Sequence, residues 1–389
     1  MEVYLDNAAT TKCADQVIDI VEEVMRKDYG NPSSKHMKGL EAERYVRNSA
    51  EIIAKSLKCK REEILFTSGG TESNNTAIIG AAMANKRAGN HLIVSGIEHS
   101  SVKEPFRFLE ENGFRVTYLP VNSNGTVKLD ALKEALCEDT ILVSCMYVNN
   151  EIGTIEPVEE IGKIVKEYNE NIIFHVDAIQ AYGKIKVIPK NFKADLLSVS
   201  GHKINGPKGV GFLYIKEKTK INPLILGGGQ QKGMRSGTDN VPGIAGLGKA
   251  VELIYNDEFD KRIENLYQIR KYMIESLKKL DGVTINGVMP EEEGAASAPH
   301  IVSASFDNIR AEVLLHALED KYIYVSSGSA CSSNRPGLSS TLEAIGLRKD
   351  LLDSTIRFSF CLETSKQDVD YAIVSIKALL PTLRRFVRK

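Results

Sequence analysis

The sequence predicts an α/β protein, with a large domain built on a mostly parallel sheet covered by helices on both faces and a smaller α+β domain after it. Three observations carry this reading. From Asn90 to Tyr168, apolar β-branched runs alternate with amphipathic helical stretches, which is the pattern of β-α units whose strands are buried on both faces. Two further apolar runs, DLLSVS and VGFLYI, flank the glycine-broken turn GHKINGPKG, and such turns punctuate strands. Past a break at Asn256-Asp257, short strands and helices follow in mixed order and read as the smaller unit.

In chain order, a short strand-like VYLD precedes a helix from Asp15 to Arg26, where Val17, Ile20, Val21 and Val24 recur at helical spacing. The loop YGNPSSKH breaks the pattern. A helix resumes from Gly39 to Leu57 with Ala42, Val46, Ala50, Ile53 and Ala54 on one face. ILFTSGGTESNNTAIIGAAMA reads as a strand entering a Gly-Gly turn and then a small-residue helix that opens with Thr71 and Glu72. HLIVS, a helix from Ser101 to Asn112, RVTYLPV, a helix from Leu129 to Leu136, ILVSCMYV and a helix from Val158 to Tyr168 continue the alternation. IIFHVDAIQ is a buried strand that delivers Asp177 and Gln180 at its end, and LGGGQQKGMRSGTDNVPG is an irregular glycine-rich segment. Helices from Val241 to Tyr255 and Glu258 to Leu280 lead to VTINGV, IVSASF, a helix from Ala311 to Asp320, TIRFSF and a last helix from Lys366 to Val387. In TIRFSF, period-2 alternation sets Thr355, Arg357 and Ser359 opposite Ile356, Phe358 and Phe360, so Arg357 projects away from the apolar side.

Composition narrows the function. The 50 basic and 51 acidic residues leave a net charge of −1, which offers no field to draw in nucleic acid or an anionic membrane. Six cysteines, at 13, 59, 137, 145, 331 and 361, show neither CxxC pairing nor the spacing of a zinc site or disulfide framework. No metal is expected. MEVYLDNAATTK carries no apolar signal segment, and no uninterrupted apolar run reaches about 18 residues. A cytoplasmic enzyme with neither membrane nor direct nucleic-acid contact is expected.

Ligands of open α/β sheets sit beyond the carboxyl ends of the strands. Gly70 and Thr71, His99, Asn149 and Asn150, Asp177 and Gln180, and His202 and Lys203 follow five such ends. Thr71 and the free amides of its helix start could hold a phosphate, or Thr71 could simply cap the helix. A lysine in a tight turn, with a carboxylate and an amide at neighbouring strand ends, is the equipment of pyridoxal phosphate chemistry. The amine forms a Schiff base with the aldehyde, and an aspartate keeps the pyridine nitrogen protonated. Taken alone, Lys203 could equally be a lysine that solvates a loop.

The ordered motifs YLDNAATT, FTSGGTES, IEHSSV, VNNEIG, HVDAIQ, SGHKINGPKG, MRSGT, SSGSACSS and IRFSF resemble those of NifS/IscS-type cysteine desulfurases, class V enzymes of the pyridoxal-phosphate-dependent aminotransferase fold. The resemblance covers nearly the whole chain. It implies fold type I with a seven-stranded-type sheet in a large domain (14–256), a small domain built from both ends (1–13 and 257–389), and a homodimer. It also implies the reaction: L-cysteine gives L-alanine, and the sulfur is left as a persulfide on the enzyme. On this basis Lys203 is similar to the Schiff-base lysine, Asp177 to the partner of the pyridinium nitrogen, Gln180 to the amide on the ring hydroxyl, and His99 to the ring-stacking, proton-shuttling histidine. Gly70, Thr71, Ser200 and His202 resemble the phosphate cradle, and Thr238 a contact to the partner subunit's phosphate. Asn150, with Asn149 beside it, is similar to the asparagine near the ring hydroxyl and substrate, and Arg357 resembles the carboxylate clamp, for which a planar guanidinium is suited.

Cys331 in SSGSACSS resembles the sulfur acceptor, which must react as a thiolate. The other five cysteines lie in or beside apolar patterns and read as structural. SSGSAC is similar to the group with a longer cysteine loop, although NRPGLSS after Ser333 departs from the cluster-assembly enzymes, as does a chain that stops at RRFVRK. The expected recipient is a sulfur-acceptor protein, either an iron-sulfur scaffold or a tRNA or cofactor thiolation enzyme. The alternatives are an aminotransferase or selenocysteine lyase of the same fold, and a non-catalytic sulfur-relay platform.

Overall fold

A computed structural model describes residues 1–289, 296–327 and 339–386. The chain begins with β1 (Val3–Tyr4), α1 (Asp15–Arg26) and α2 (Met37–Leu57). It then lays down β2 (Ile64–Thr67), α3 (Gly70–Asn85), β3 (His91–Ser95), α4 (Ser100–Glu111), β4 (Arg115–Leu119), α5 (Leu129–Ala135), β5 (Thr140–Met146), the short β6 (Thr154–Ile155), α6 (Val158–Tyr168), β7 (Ile173–Asp177), β8 (Leu196–Ser200) and β9 (Gly211–Ile215). Seven of these strands form one sheet in the order β2-β9-β8-β7-β5-β3-β4. Every residue of β3, β5, β7 and β8 is buried, as a parallel sheet covered on both faces requires. β9 is antiparallel to both of its neighbours and the rest run one way. The cause is local: the connection 201–210 contains no helix long enough for a crossover, so β9 must turn back beside β8.

Because the parallel strands share a direction, Thr67, Ser95, Met146, Asp177 and Ser200 end on one edge of the sheet. The Gly-Gly turn after β2 lies against the start of β9. A Cβ at Gly211 would stand 2.8 Å from Gly69 Cα and 2.5 Å from Val199 O, and Gly69 itself has φ +149°. Only glycines allow this approach, which brings the start of α3 to that edge.

Beyond α7 (Val241–Ile254) and α8 (Phe259–Leu277), the chain forms β10 (Val283–Asn286), β11 (Ala296–Ser297), β12 (Ile301–Phe306), α9 (Ala311–Glu319), β13 (Ile323–Tyr324), β14 (Ser326–Ser327), α10 (Ser340–Ala344), β15 (Thr355–Ser359) and α11 (Lys366–Leu383). β10-β12-β15-β14 make an antiparallel sheet, β1 pairs in parallel with β13, and β11 pairs with β6. Ile356, Phe358 and Phe360 enter a core with Val3, Leu5, Phe306 and Leu314. The opposite face of β15 is also buried, with Thr355 beside Ser305 and Arg357 beside Ser303 on the neighbouring strand.

Helix ends differ from expectation for identifiable reasons. α2 starts at Met37 because the His36 side chain accepts from the Gly39 amide at 3.3 Å, and α4 starts at Ser100 with His99 as its N-cap. α8 stops at Leu277, with the Leu280 amide turned back onto Leu277 O. α11 stops at Leu383, just after Pro381 removes a donor from its last turn.

Candidate active site

A cavity of about 180 Å³ opens at the edge where the parallel strands end. Gly70, Thr71, His99, Asn150, Asp177, Gln180, Ser200, His202, Lys203 and Arg357 all line it, with Met146, Val148 and Ile179 as apolar walls. Asn149 and Thr238 do not. Asn149 is fully buried and turns inward, donating to Ile97 O and accepting from the amides of Glu151 and Ile152. Thr238 is exposed on the glycine-rich segment. Cys331 lies outside the described residues. A larger cleft of about 890 Å³ between α2 and residues 215–234 contains none of the predicted site residues.

The N-terminal segment closes the cavity from one side, a feature the sequence reading did not anticipate. Lys203, on the turn after β8, donates from Nζ to Ala8 O at 2.6 Å and Ala9 O at 2.7 Å. Gln180 Nε2 donates to the same Ala8 O at 2.9 Å, so Gln180 Oε1 faces the buried His300, whose Nε2 lies 3.2 Å away. His202 O accepts from the amide and hydroxyl of Thr11, and His202 Nδ1 meets Thr10 Oγ1 at 3.2 Å.

Asp177 and His99 are joined through two residues that sequence reasoning missed, Asn74 and Ser101. Asn74 is fully buried on α3. Its amide nitrogen sits 2.8 Å from Asp177 Oδ2 and 2.9 Å from Ser101 Oγ. A carboxylate can only accept, so the Asn74 orientation is dictated and both its protons are used. The Ser101 hydroxyl then turns its own proton to His99 Nδ1 at 2.8 Å, and the Ser101 amide donates there too at 3.1 Å. Nδ1 is an acceptor, which leaves the proton of neutral His99 on Nε2. Burial and then the charges of Lys203, Lys103 and Arg357 push His99 down to about 4, so it is neutral at ordinary pH. Burial raises Asp177, opposed by the Ile179 amide, Asn74 and Lys203. A signal for Asn74 existed: it lies one helical turn beyond Thr71 and shares its face.

At the opposite end, the start of α3 has no side-chain cap at Gly69, leaving amide donors beside Thr71 and Ser200. Burial and the neighbouring Lys203 and Lys208 push His202 down to about 4, so it stands there as a neutral donor or acceptor. On the third side, Arg357 of β15 donates from Nη1 to Asn150 O and from Nη2 to Asp6 Oδ1, each at 2.8 Å, while its buried Nε has no partner among the described residues.

This set fits pyridoxal phosphate. An uncapped helix start with hydroxyls suits a dianionic phosphate, a buried carboxylate held by neutral donors suits a protonated ring nitrogen, and an amine sits between them. The guanidinium of Arg357, which lines the cavity, suits a substrate carboxylate.

Comparison with known proteins agrees. The profile of the aminotransferase class-V family matches residues 3–372. The cysteine desulfurase IscS of Dictyoglomus turgidum is 46% identical over 384 residues, covering 98% of this chain and 95% of that protein. Among solved structures, a NifS-like protein superposes with a TM-score of 0.92 at 39% identity over 98% of this chain and all of the other. SspA in complex with cysteine superposes with a TM-score of 0.78 at 33% identity over 92% and 98% of the two chains.

Proposed function

We propose a division of catalytic labour that proceeds from one premise: the chain belongs to the class-V aminotransferase family, and it is a pyridoxal-phosphate-dependent cysteine desulfurase. The aminotransferase and selenocysteine lyase readings are not favoured by these relatives. When bound, pyridoxal phosphate supplies the electron sink that makes bonds at the Cα and Cβ of an amino acid labile.

Lys203 would hold the cofactor by its amine, released from the carbonyls of Ala8 and Ala9. Asp177 would keep the ring nitrogen protonated, and Gln180, oriented by Ala8 and His300, would meet the ring hydroxyl. Gly70, Thr71, Ser200 and His202 would bind the phosphate, joined by Thr238 from a second copy in a homodimer. His99 would cover the ring and shuttle protons at Nε2, the ring nitrogen that Ser101 does not engage. Arg357 and Asn150 would fix the carboxylate of L-cysteine. Cys331, as a thiolate, would attack the substrate sulfur; the C–S bond breaks, the sulfur remains on Cys331 as a persulfide, and L-alanine leaves.

The observation that carries this reading is convergence: Arg357 from the small sheet reaches the same cavity as Lys203, Asp177 and His99 from the large one. We take residues 14–256 as the cofactor domain, and 1–13 with 257–389 as the domain that brings in clamp and thiol. The persulfide is passed to an acceptor protein, either a cluster scaffold or a thiolation enzyme. The free thiols among the described residues support a reducing, cytoplasmic setting. Replacing Cys331 by Ala should abolish alanine formation from cysteine while leaving the absorbance of bound pyridoxal phosphate intact. Undiminished turnover in that variant would defeat the assignment of Cys331.

A further inference from the structure

We infer that Asp6 is a positioning residue for the substrate-carboxylate site, holding the Arg357 guanidinium in register while limiting how tightly it grips a carboxylate. The inference rests on the reading of Arg357 as the clamp. The Arg357 side chain is 5% exposed, and Asp6 is its partner in an ion pair at 2.8 Å. Asp6 does not line the cavity, whereas Arg357 does. The pairing therefore reaches the guanidinium from outside the cavity and leaves the part of Arg357 that lines it to a ligand.

Asp6 cannot follow a moving arginine. Its backbone bridges Ser359, its carbonyl accepts from the Ala9 amide at 3.0 Å, and the next residue, Asn7, donates from Nδ2 to Ser359 O and Tyr4 O. With Asn150 O on Nη1, two fixed acceptors define the plane of the fork. A planar donor held at two points presents its remaining N–H groups in one geometry.

The second consequence is electrostatic. A buried guanidinium without a counter-charge is costly, so Asp6 stabilises the empty site. An incoming carboxylate then becomes the second anion on a cation that is already paired. Substrate and product both carry that carboxylate, so Asp6 weakens both and favours release of L-alanine.

The two roles separate in Asp6→Asn, which keeps an oxygen acceptor for Nη2 but removes the charge. The test is equilibrium binding of L-alanine to the holoenzyme, read from the absorbance of bound pyridoxal phosphate, with L-alaninamide as the probe that lacks a carboxylate. Removing one unit charge across a partly screened guanidinium should tighten L-alanine by about tenfold and leave L-alaninamide within about twofold. Asp6→Ser also removes the charge and should shift binding in the same direction should the Asn variant not fold. Arg357→Gln is the control. If it weakens L-alanine while the Asp6 variants leave L-alanine unchanged or weaker, the inference is overturned and the clamp stands. If Arg357→Gln leaves L-alanine binding unchanged, the clamp reading falls and the inference with it.

Discussion

Replacing Asn74 by Leu tests whether the hydrogen-bond chain through α3 keeps Asp177 ionised. Leucine has the branched outline of asparagine and the same number of side-chain heavy atoms, but more bulk and no donors. In the native chain Asp177 accepts from the Ile179 amide at 2.9 Å and from Asn74 at 2.8 Å, against its burial, which favours the neutral acid. A hydrogen bond to a charged group is worth about 1.5–3 kcal/mol, a factor of about 10 to 100 in an equilibrium between charged and neutral forms. The sign follows from the carboxylate: a raised pKa means that the anion is present only at higher pH. Cofactor affinity of the variant should therefore fall by about tenfold or more at pH 7, and the loss should shrink as pH rises and Asp177 ionises again. The assay is titration of the apoprotein with pyridoxal phosphate, followed by absorbance at several pH values. Wild-type affinity across the range would refute the reasoning, and a loss of equal size at every pH would show that packing, not charge, is what Asn74 supplies.

Two further outcomes follow from buried titrating groups. His99 is pushed down to about 4 in part by Lys103, so Lys103→Gln should raise its titration toward the ordinary 6.5, as read from imidazole nitrogen resonances of the apoprotein. An unchanged or lower value would contradict the assigned cause. Glu156 is buried beneath the Val127 amide with one oxygen unpartnered among the described residues, and burial pushes it up to about 8. Its folded pKa thus lies above the unfolded value, so the stability it confers is complete below about 4.5 and is lost as pH rises toward 8. Wild type should lose about 1 kcal/mol per pH unit more than Glu156→Gln across this window, and parallel urea-denaturation curves for the two proteins would count against it.

The sheet was legible because its strands are continuous apolar runs and its helices carry clean amphipathic spacing. The site was legible wherever a polar residue follows a strand end closely, as with His99, Asp177 and Lys203. What escaped reading is contact between distant segments made by groups that carry no signature. Ala8 and Ala9 act through backbone carbonyls on Lys203, some 195 positions away, and no side-chain pattern announces a carbonyl. Asp6 reaches Arg357 across 351 positions because β1 pairs with β13, a two-residue ladder too short to show a period. His300 precedes β12 and touches Gln180 only once the small sheet is laid over the cavity. Asn74 differed: its helical spacing from Thr71 was readable, but a polar residue in a small-residue helix had no evident partner until Asp177 and Ser101 were placed beside it.

The central claim is that sulfur taken from cysteine at this cavity is captured by Cys331. It is tested most directly by giving the holoenzyme one equivalent of L-cysteine without reductant, quenching within a single turnover and mapping persulfide by peptide mass spectrometry. One added sulfur atom on the Cys331 peptide and an equal amount of L-alanine are expected. Alanine formed with the added sulfur on Cys137 or another thiol, and none on Cys331, would contradict it.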